Sequence, residues 1–252
     1  MGPPLASAFF QTPIAHRGLH DSAAGVIENS RSAVEAAVAA GYGAEIDLQM
    51  SADGEAMVFH DYHLDRVTGA KGPVAQVSAA DLGRLELTGG GEGVPTLAEV
   101  LDIVRGRAPL LIEIKDQSGC FNPVDGRLER RAAQLLSTYD GPAALMSFNP
   151  HSVATCARVA PALPRGRVTC LFKPEDWLGL TEARAEELNR LDDLDALGAS
   201  FISHDHGDLD DPAVGRVKAS GRHILCWTIK SPEEDAAARR IAENVTFEHY
   251  PA

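Results

Sequence analysis

An α/β chain closed into a (β/α)₈ TIM barrel, with a small insertion after the second strand, is the fold this sequence predicts. Short apolar, strand-like runs alternate with amphipathic helical segments from one end to the other. The length, 252 residues, is ordinary for a closed barrel of roughly 250 residues. His16, Glu45, Asp47, His60 and Glu113 each lie in or at the end of such a run, and barrel chemistry gathers at the C-terminal ends of strands. An open doubly wound sheet is the competing arrangement, but no Gly-x-Gly-x-x-Gly follows the first strand.

The elements follow in order. Ile14-Ala15 leads into His16 as the first strand, and a helix is expected over Ser30 to Ala40, capped by Asn29 or Ser30 and stopped by Gly41. Ala44 to Met50 is the second strand. Asp53-Gly54 is a tight-turn signal, so Glu55 to His60 should return as a hairpin arm. Residues 62–95, with Gly69, Gly72 and Gly89-Gly90-Gly91, read as the insertion. Thr96-Leu97-Ala98-Glu99 is a capping box opening a helix. Leu110 to Lys115 is the third strand and Arg127 to Thr138 a helix. Further strands are expected over Ala143 to Phe148, Arg167 to Phe172, Ala199 to His204 and His223 to Ile229. Helices fall between them, over Pro150 to Ala160, Thr181 to Leu197 and Pro212 to Ser220. Ser231-Pro232-Glu233-Glu234 starts the last helix, and Asn244 to Tyr250 closes the barrel. The whole, residues 1–252, is expected to be one domain.

The composition is 44% hydrophobic and 23% charged, which supports a sizeable core. A net charge of −13 disfavours nucleic acid or an anionic membrane as the main partner, since there is no basic field to attract either. No run approaches the ~18 apolar residues of a membrane span, so no stable membrane insertion is expected. The first twelve residues carry no Lys or Arg, unlike a signal peptide. Cys120, Cys156, Cys170 and Cys226 form no Cys-x-x-Cys pair, which fits reduced thiols and a cytoplasmic location.

Glu45 and Asp47 are two apart on a strand and therefore share a face. Ala44, Ile46 and Leu48 fill the other face, so the acids point into the barrel, where they would repel each other without a cation between them. Glu113 and Lys115 repeat the spacing on the next strand. Alone they would read as a buried ion pair; beside Glu45 and Asp47, Glu113 becomes a third oxygen ligand. Three carboxylates suit a hard ion, Ca²⁺ or Mg²⁺, with Mn²⁺ a further candidate, rather than Zn²⁺. Lys115 and Arg17 are cations suited to a phosphate, and Gly18 permits close backbone approach. His16 and His60 at strand ends suit general acid–base work. Trp227 is open to two readings, stacking on substrate or core packing. His204 and His206 look like a metal pair but have no third partner, so a loop or supporting role fits them better; His63, Asp65 and Arg66 of the insertion would shape the pocket mouth.

These stretches together resemble the glycerophosphodiester phosphodiesterase family. The likeness runs through Ile14 to Gly18, Glu28-Asn29-Ser30, Glu45 to Gln49, Val58 to Asp61, Leu64 to Gly69, Pro95-Thr96-Leu97 and Glu113-Ile114-Lys115. It extends to Ser147-Phe148-Asn149 and Trp227-Thr228-Ile229. It implies a barrel with an insertion after the second strand, His16 and His60 as the catalytic pair, and a divalent cation on Glu45, Asp47 and Glu113. Arg17 and Lys115 would hold the phosphate, and Glu28 would lie near the substrate, with Ser30 where the family has Thr. The chain departs at its end, where Val245-Thr246-Phe247-Glu248-His249-Tyr250-Pro251 replaces the family's Gly-Ile-Ile-Thr-Asp-like strand.

The implied reaction is hydrolysis of a small glycerophosphodiester to glycerol 3-phosphate and an alcohol, with His16 the favoured base and His60 the acid. Two alternatives stand beside it. One is lysophospholipase D-type cleavage of longer lipid phosphodiesters, to which Val67, Val74, Val77, Leu82, Leu85 and Leu87 of the insertion could contribute. The other is an inactive phosphate-binding barrel, disfavoured because both histidines and all three acids are present. The sequence leaves the oligomeric state open.

Overall fold

The computed structural model describes residues 2–252. The barrel strands are β1 (Ile14–Ala15), β2 (Gly43–Met50), β4 (Leu110–Ile114), β5 (Ala143–Ser147), β6 (Arg165–Thr169), β7 (Phe201–Asp205), β8 (His223–Ile229) and β9 (Asn244–Phe247). All are parallel to their neighbours, and β1 pairs with both β2 and β9, which closes the ring. The hairpin arm β3 (Ala56–Val58) lies antiparallel on β2, as Asp53-Gly54 predicts. The helices are α1 (Arg31–Ala39), α2 (Ala79–Leu82), α3 (Leu97–Val104), α4 (Arg127–Leu136), α5 (Pro150–Val159), α6 (Glu182–Arg190), α7 (Leu194–Leu197), α8 (Pro212–Ala219) and α9 (Pro232–Ala238). Ser30 caps α1 through the Ala33 N–H, and the Thr96/Glu99 capping box of α3 is complete.

Two apolar layers hold the barrel. Outside, Ala44, Ile46 and Leu48 of β2 pack with Val34 and Ala37 of α1 and Val100, Leu101 and Val104 of α3. Inside, Ile14, Leu111, Ala144, Met146, Val168, Phe201 and Leu225 meet Leu5 and Phe9 from the N-terminal segment. Asn244, the first residue of β9, donates to the carbonyls of Phe9 and Thr12 (both 2.7 Å), so this plug seals the end where the strands begin. The opposite end, where the strands stop, stays open to hold a site. The apolar residues of the insertion are spent internally: Val74, Leu82 and Leu87 are buried with Ile27, Met57, Phe59, Leu64 and Val94, and Val67, Val77 and Leu85 pack around them. They form a satellite core and line no cavity at the strand ends.

The hairpin arm and the last strand are shorter than expected, Ala56–Val58 and Asn244–Phe247, and two elements differ more. β6 runs over Arg165–Thr169 rather than Arg167 to Phe172. Gly166 pairs with Met146 and Phe201 in the sheet, and its lack of a side chain leaves room for the Phe201 ring, which would lie 2.5 Å from a Cβ there. At the other end the Phe172 N–H and C=O are taken by the Asn189 amide (2.8 and 2.9 Å), so the chain leaves the sheet with its polar groups satisfied. The helix expected over Thr181 to Leu197 splits into α6 and α7, broken where Leu191 turns left-handed (φ 55°).

Between α4 and α5, Glu129 is 1% exposed and accepts from the Ser152 hydroxyl at 2.6 Å. Burial raises its pKa despite that bond. The folded chain therefore binds a proton more tightly here than the unfolded chain, and stability falls as pH rises through and above the ordinary carboxylate range. Glu129→Gln, which keeps the acceptor, is expected to stabilise the fold by about 1 kcal/mol near pH 8 and to do nothing near pH 4. Thermal melts at the two pH values check this; equal shifts at both would contradict it.

Candidate active site

Parallel pairing of β2 with β4 sets Asp47 directly opposite Glu113. With Glu45 one inward position earlier, the three acids bring one oxygen each to within 4.8 Å of one another. They are 2%, 1% and 7% exposed. Burial and the neighbouring Asp47 and Glu113 carboxylates push the Glu45 pKa well up. Burial also raises Glu113, against the pull of Lys115. Asp47 goes the other way: burial opposes it, but Lys115, His60, Arg17 and the Asn29 amide together hold it well below the usual range. Lys115 Nζ sits 2.9 Å from Glu113 and 3.5 Å from Asp47, and Arg17 Nε is 3.5 Å from Asp47. One ammonium and one guanidinium are a weak offset for three buried acids, so the donor set fits a hard divalent ion, which needs oxygen ligands and added positive charge.

The histidines stand on either side. His16 Nδ1 is 2.8 Å from Glu248 Oε2, and His60 Nδ1 is 2.7 Å from Asp61 Oδ1. An ionised carboxylate only accepts, so Nδ1 carries the proton in both rings and Nε2 is the nitrogen left for the pocket. Burial lowers both imidazole pKa values, partly countered by Glu248 at His16 and by Asp47 at His60. Glu248 stays ionised, held far below the ordinary range by the hydrogen bond from His16 and by His20 and Lys230 beside it.

Arg17 is left-handed (φ 53°), a turn that lets its N–H reach Glu45 Oε2 at 3.0 Å. Gly18 follows at φ 76°, and a Cβ there would lie 2.7 Å from the Ala33 backbone, so its glycine makes room for α1 rather than for a ligand. Glu28 lines neither cavity at this end of the barrel. Its carboxylate takes Arg17 Nη1 at 2.7 Å and Arg66 at 2.6 and 2.7 Å. Burial opposes its ionisation, but the two arginines bring its pKa down to about 2. Arg66, from the insertion, also grips Asp61 (2.7 Å), so one guanidinium braces the partners of both Arg17 and His60.

A cavity of about 110 Å³ is lined by His16, Arg17, Glu45, Asp47, His60, Glu113, Lys115 and Trp227. Eight of the nine residues singled out in the sequence are thus gathered in one place, with Glu28 behind Arg17. Trp227 packs edge to face with Phe148 (centroids 5.6 Å apart), its Nε1 donates to the Ser203 carbonyl, and it lines the cavity. Ser203 and Thr246 also line this cavity, and their buried hydroxyls have no hydrogen-bond partner within the described residues; Arg17 Nε has only the 3.5 Å ion pair with Asp47. Unpaired buried groups of this kind bind water or a polar ligand. Sequence reading missed both hydroxyls, since a single Ser or Thr in a strand carries no signal. It also missed Glu248, whose one available sign was its place at the end of the strand that closes against β1. His204 is buried, with Nδ1 2.8 Å from the Thr169 hydroxyl. The acidic triad is the group with metal-holding geometry among the described residues, and it includes neither His204 nor His206.

A (β/α)₈ barrel with two carboxylate-held imidazoles, a buried acidic triad and two cations at its open end is an enzyme built for phosphate esters. Residues 16–246 match the sequence profile of the Glycerophosphoryl diester phosphodiesterase family, and the chain belongs to that family. It is 29% identical over 173 residues to a glycerophosphodiester phosphodiesterase of Caldanaerobacter subterraneus, covering 65% of this chain and 69% of that one. To a glycerophosphodiester phosphodiesterase of Bacillus subtilis it is 27% identical over 227 residues, covering 82% and 73%. The solved phosphodiesterase of Oleispira antarctica, in complex with the product sn-glycerol-3-phosphate, shares the fold at a TM-score of 0.76 and 23% identity, covering 97% of this chain and 95% of that one.

Proposed function

We propose that the chain hydrolyses glycerophosphodiesters to glycerol 3-phosphate and an alcohol, with a divalent cation on Glu45, Asp47 and Glu113. The observation that carries this reading is the shared lining of one small cavity by both histidines, all three acids, Arg17 and Lys115. When bound, the cation supplies positive charge to the phosphoryl oxygens. Arg17 and Lys115 add cationic contacts to the phosphate and hold it in place. The unpaired Ser203 and Thr246 hydroxyls would bind the glycerol hydroxyls. The four cysteines are unpaired, which supports a reducing compartment such as the cytoplasm, and no described helix is long and apolar enough to cross a membrane.

The two histidines take different roles by position. His16 lines only the inner cavity, whereas His60 also lines the wider one outside it. His16, neutral with Nε2 free, removes the proton of the attacking hydroxyl. His60, beside the exit, protonates the departing alkoxide, and a bound phosphate anion favours its charged form. Glycerol 3-phosphate release from glycerophosphocholine tests the reading, using chelator-treated protein with Ca²⁺, Mg²⁺ or Mn²⁺ restored. Metal-restored release that Glu45→Ala abolishes is expected. Absence of release with every ion, from folded protein, would overturn it.

Glu248 acts through His16 by fixing its tautomer and orientation. Glu248→Ala should lower kcat by about 10²-fold with KM little changed, and added formate should restore part of the loss. A loss confined to KM, or one that formate leaves untouched, would count against this role.

A further inference from the structure

Beyond the inner cavity lies a second of about 590 Å³ that shares His60, Glu113, Lys115, Phe148 and Trp227 with it. Its distinctive walls are aromatic. Phe121 and Trp177 pack edge to face at 4.9 Å between ring centroids, Trp177 meets Phe148 at 5.3 Å, and Phe148 meets Trp227. Phe121 is held in place at some conformational cost. Its φ is 60°, a region disfavoured for bulky residues. The Asp116 carboxylate fixes that turn by accepting the Phe121 N–H at 2.8 Å.

The polar groups around this cavity are largely occupied by one another. Asp61 is taken by His60 and Arg66, and Arg66 also by Glu28. Asp116 is taken by Ser118, Phe121 and Asn149, and Lys115 by Glu113. Beside His63 and Asp65, which also line the cavity, the ring faces are what remains for a ligand. The mouth continues the pattern. Tyr62, which lines the cavity, is 51% exposed, and Leu178, next to Trp177, is fully exposed. These two are the exposed large hydrophobic residues among those described: Tyr62 lines the cavity, and Leu178 directly follows Trp177, which lines it too. An exposed apolar residue alone means little; a Tyr62 ring exposed on the wall of an aromatic cavity extends its apolar surface to solvent.

Volume decides the class of occupant. Cavities of ~300–1,000 Å³ suit ligands of drug size, and a glycerol or choline group would leave most of this space as water against aromatic rings. We propose that the outer cavity is the subsite of the leaving alcohol and takes a hydrocarbon chain, making amphiphilic glycerophosphodiesters the preferred substrates. This rests on the hydrolytic reading above. Water adds across the bond between phosphorus and the alcohol oxygen. Glycerol 3-phosphate stays in the inner cavity, and the chain-bearing alcohol leaves with the proton from His60.

The test is a series of glycerophosphoalkyl esters, ethyl to dodecyl, assayed below their micelle concentrations with glycerophosphocholine as the small-group reference. The expected result is kcat/KM rising by up to about fourfold per methylene until the cavity fills, chiefly through KM. Trp177→Ala should flatten that slope. Leu178→Asp, at a fully exposed position where folding is not at stake, should depress the longest esters selectively. A flat or falling profile, or glycerophosphocholine as the best substrate, would overturn the proposal and leave the hydrolytic reading standing. No release from any ester, glycerophosphocholine included, would overturn both.

Discussion

His16→Ala and His60→Ala should each lower kcat on glycerophosphocholine by about 10²–10⁴-fold, and a change of leaving group should then tell them apart. From a p-nitrophenyl ester of glycerol phosphate the leaving group departs as p-nitrophenolate, a stable anion that needs no proton. His60→Ala should recover most of its rate on that substrate, because the missing acid is no longer required. His16→Ala should stay slow, because the attacking hydroxyl still lacks its base. The physical basis is positional: His60 borders the wide outer cavity and His16 does not. Equal recovery by both variants would remove the assignment of roles, and near-normal rates in both on glycerophosphocholine would remove the pair from the mechanism.

Metal removal should have the other large effect, and on stability as well as turnover. Without an ion, Glu45 and Glu113 carry raised pKa values, from burial and from the acids beside them. Groups raised in the folded state bind protons that the unfolded chain has released, so metal-free stability should fall as pH climbs above the ordinary carboxylate range. A divalent ion at a hundred times its Kd adds about 2.7 kcal/mol, which for a chain of this size is a Tm rise of about 5–10 °C. The rise should shrink toward pH 5, where protons compete for the same oxygens. Glu45→Gln should do two opposite things: raise the metal-free Tm by relieving repulsion, and abolish both the metal-dependent rise and the turnover. Differential scanning calorimetry with and without ion at pH 5 and pH 8 reads all of these. An unchanged Tm on adding any ion would argue against the triad as a metal site.

Much of this was legible because barrel chemistry lies at strand ends, and strand ends are visible as apolar runs that stop at a polar residue. Ile14-Ala15 before His16, Phe59 before His60, and the two-residue spacing of Glu45 with Asp47 and of Glu113 with Lys115 all follow from local pattern. Glu28 was visible as a residue but not as a role. Only folding brings Arg66 from the insertion to its other side, so that Glu28 meets two guanidiniums and no cavity. The apolar residues of the insertion could have lined a lipid site, yet they close on themselves. The apolar cavity is built instead from Phe121 and Trp177, in loops after β4 and β6 that no periodicity marks.

The alternation of strands and helices, the acids on one face of β2 and β4, and the cations and imidazoles beside them could be read from the chain, since each depends on residues a few positions apart. The tertiary structure alone decided what depends on ring closure. Pairing β9 with β1 carries Glu248 across 232 positions to His16. The same closure sets Thr246 and Ser203 around the inner cavity and lays an aromatic wall outside His60. Contacts of that separation leave no periodic trace in the chain, because nothing local requires the two partners to occur together.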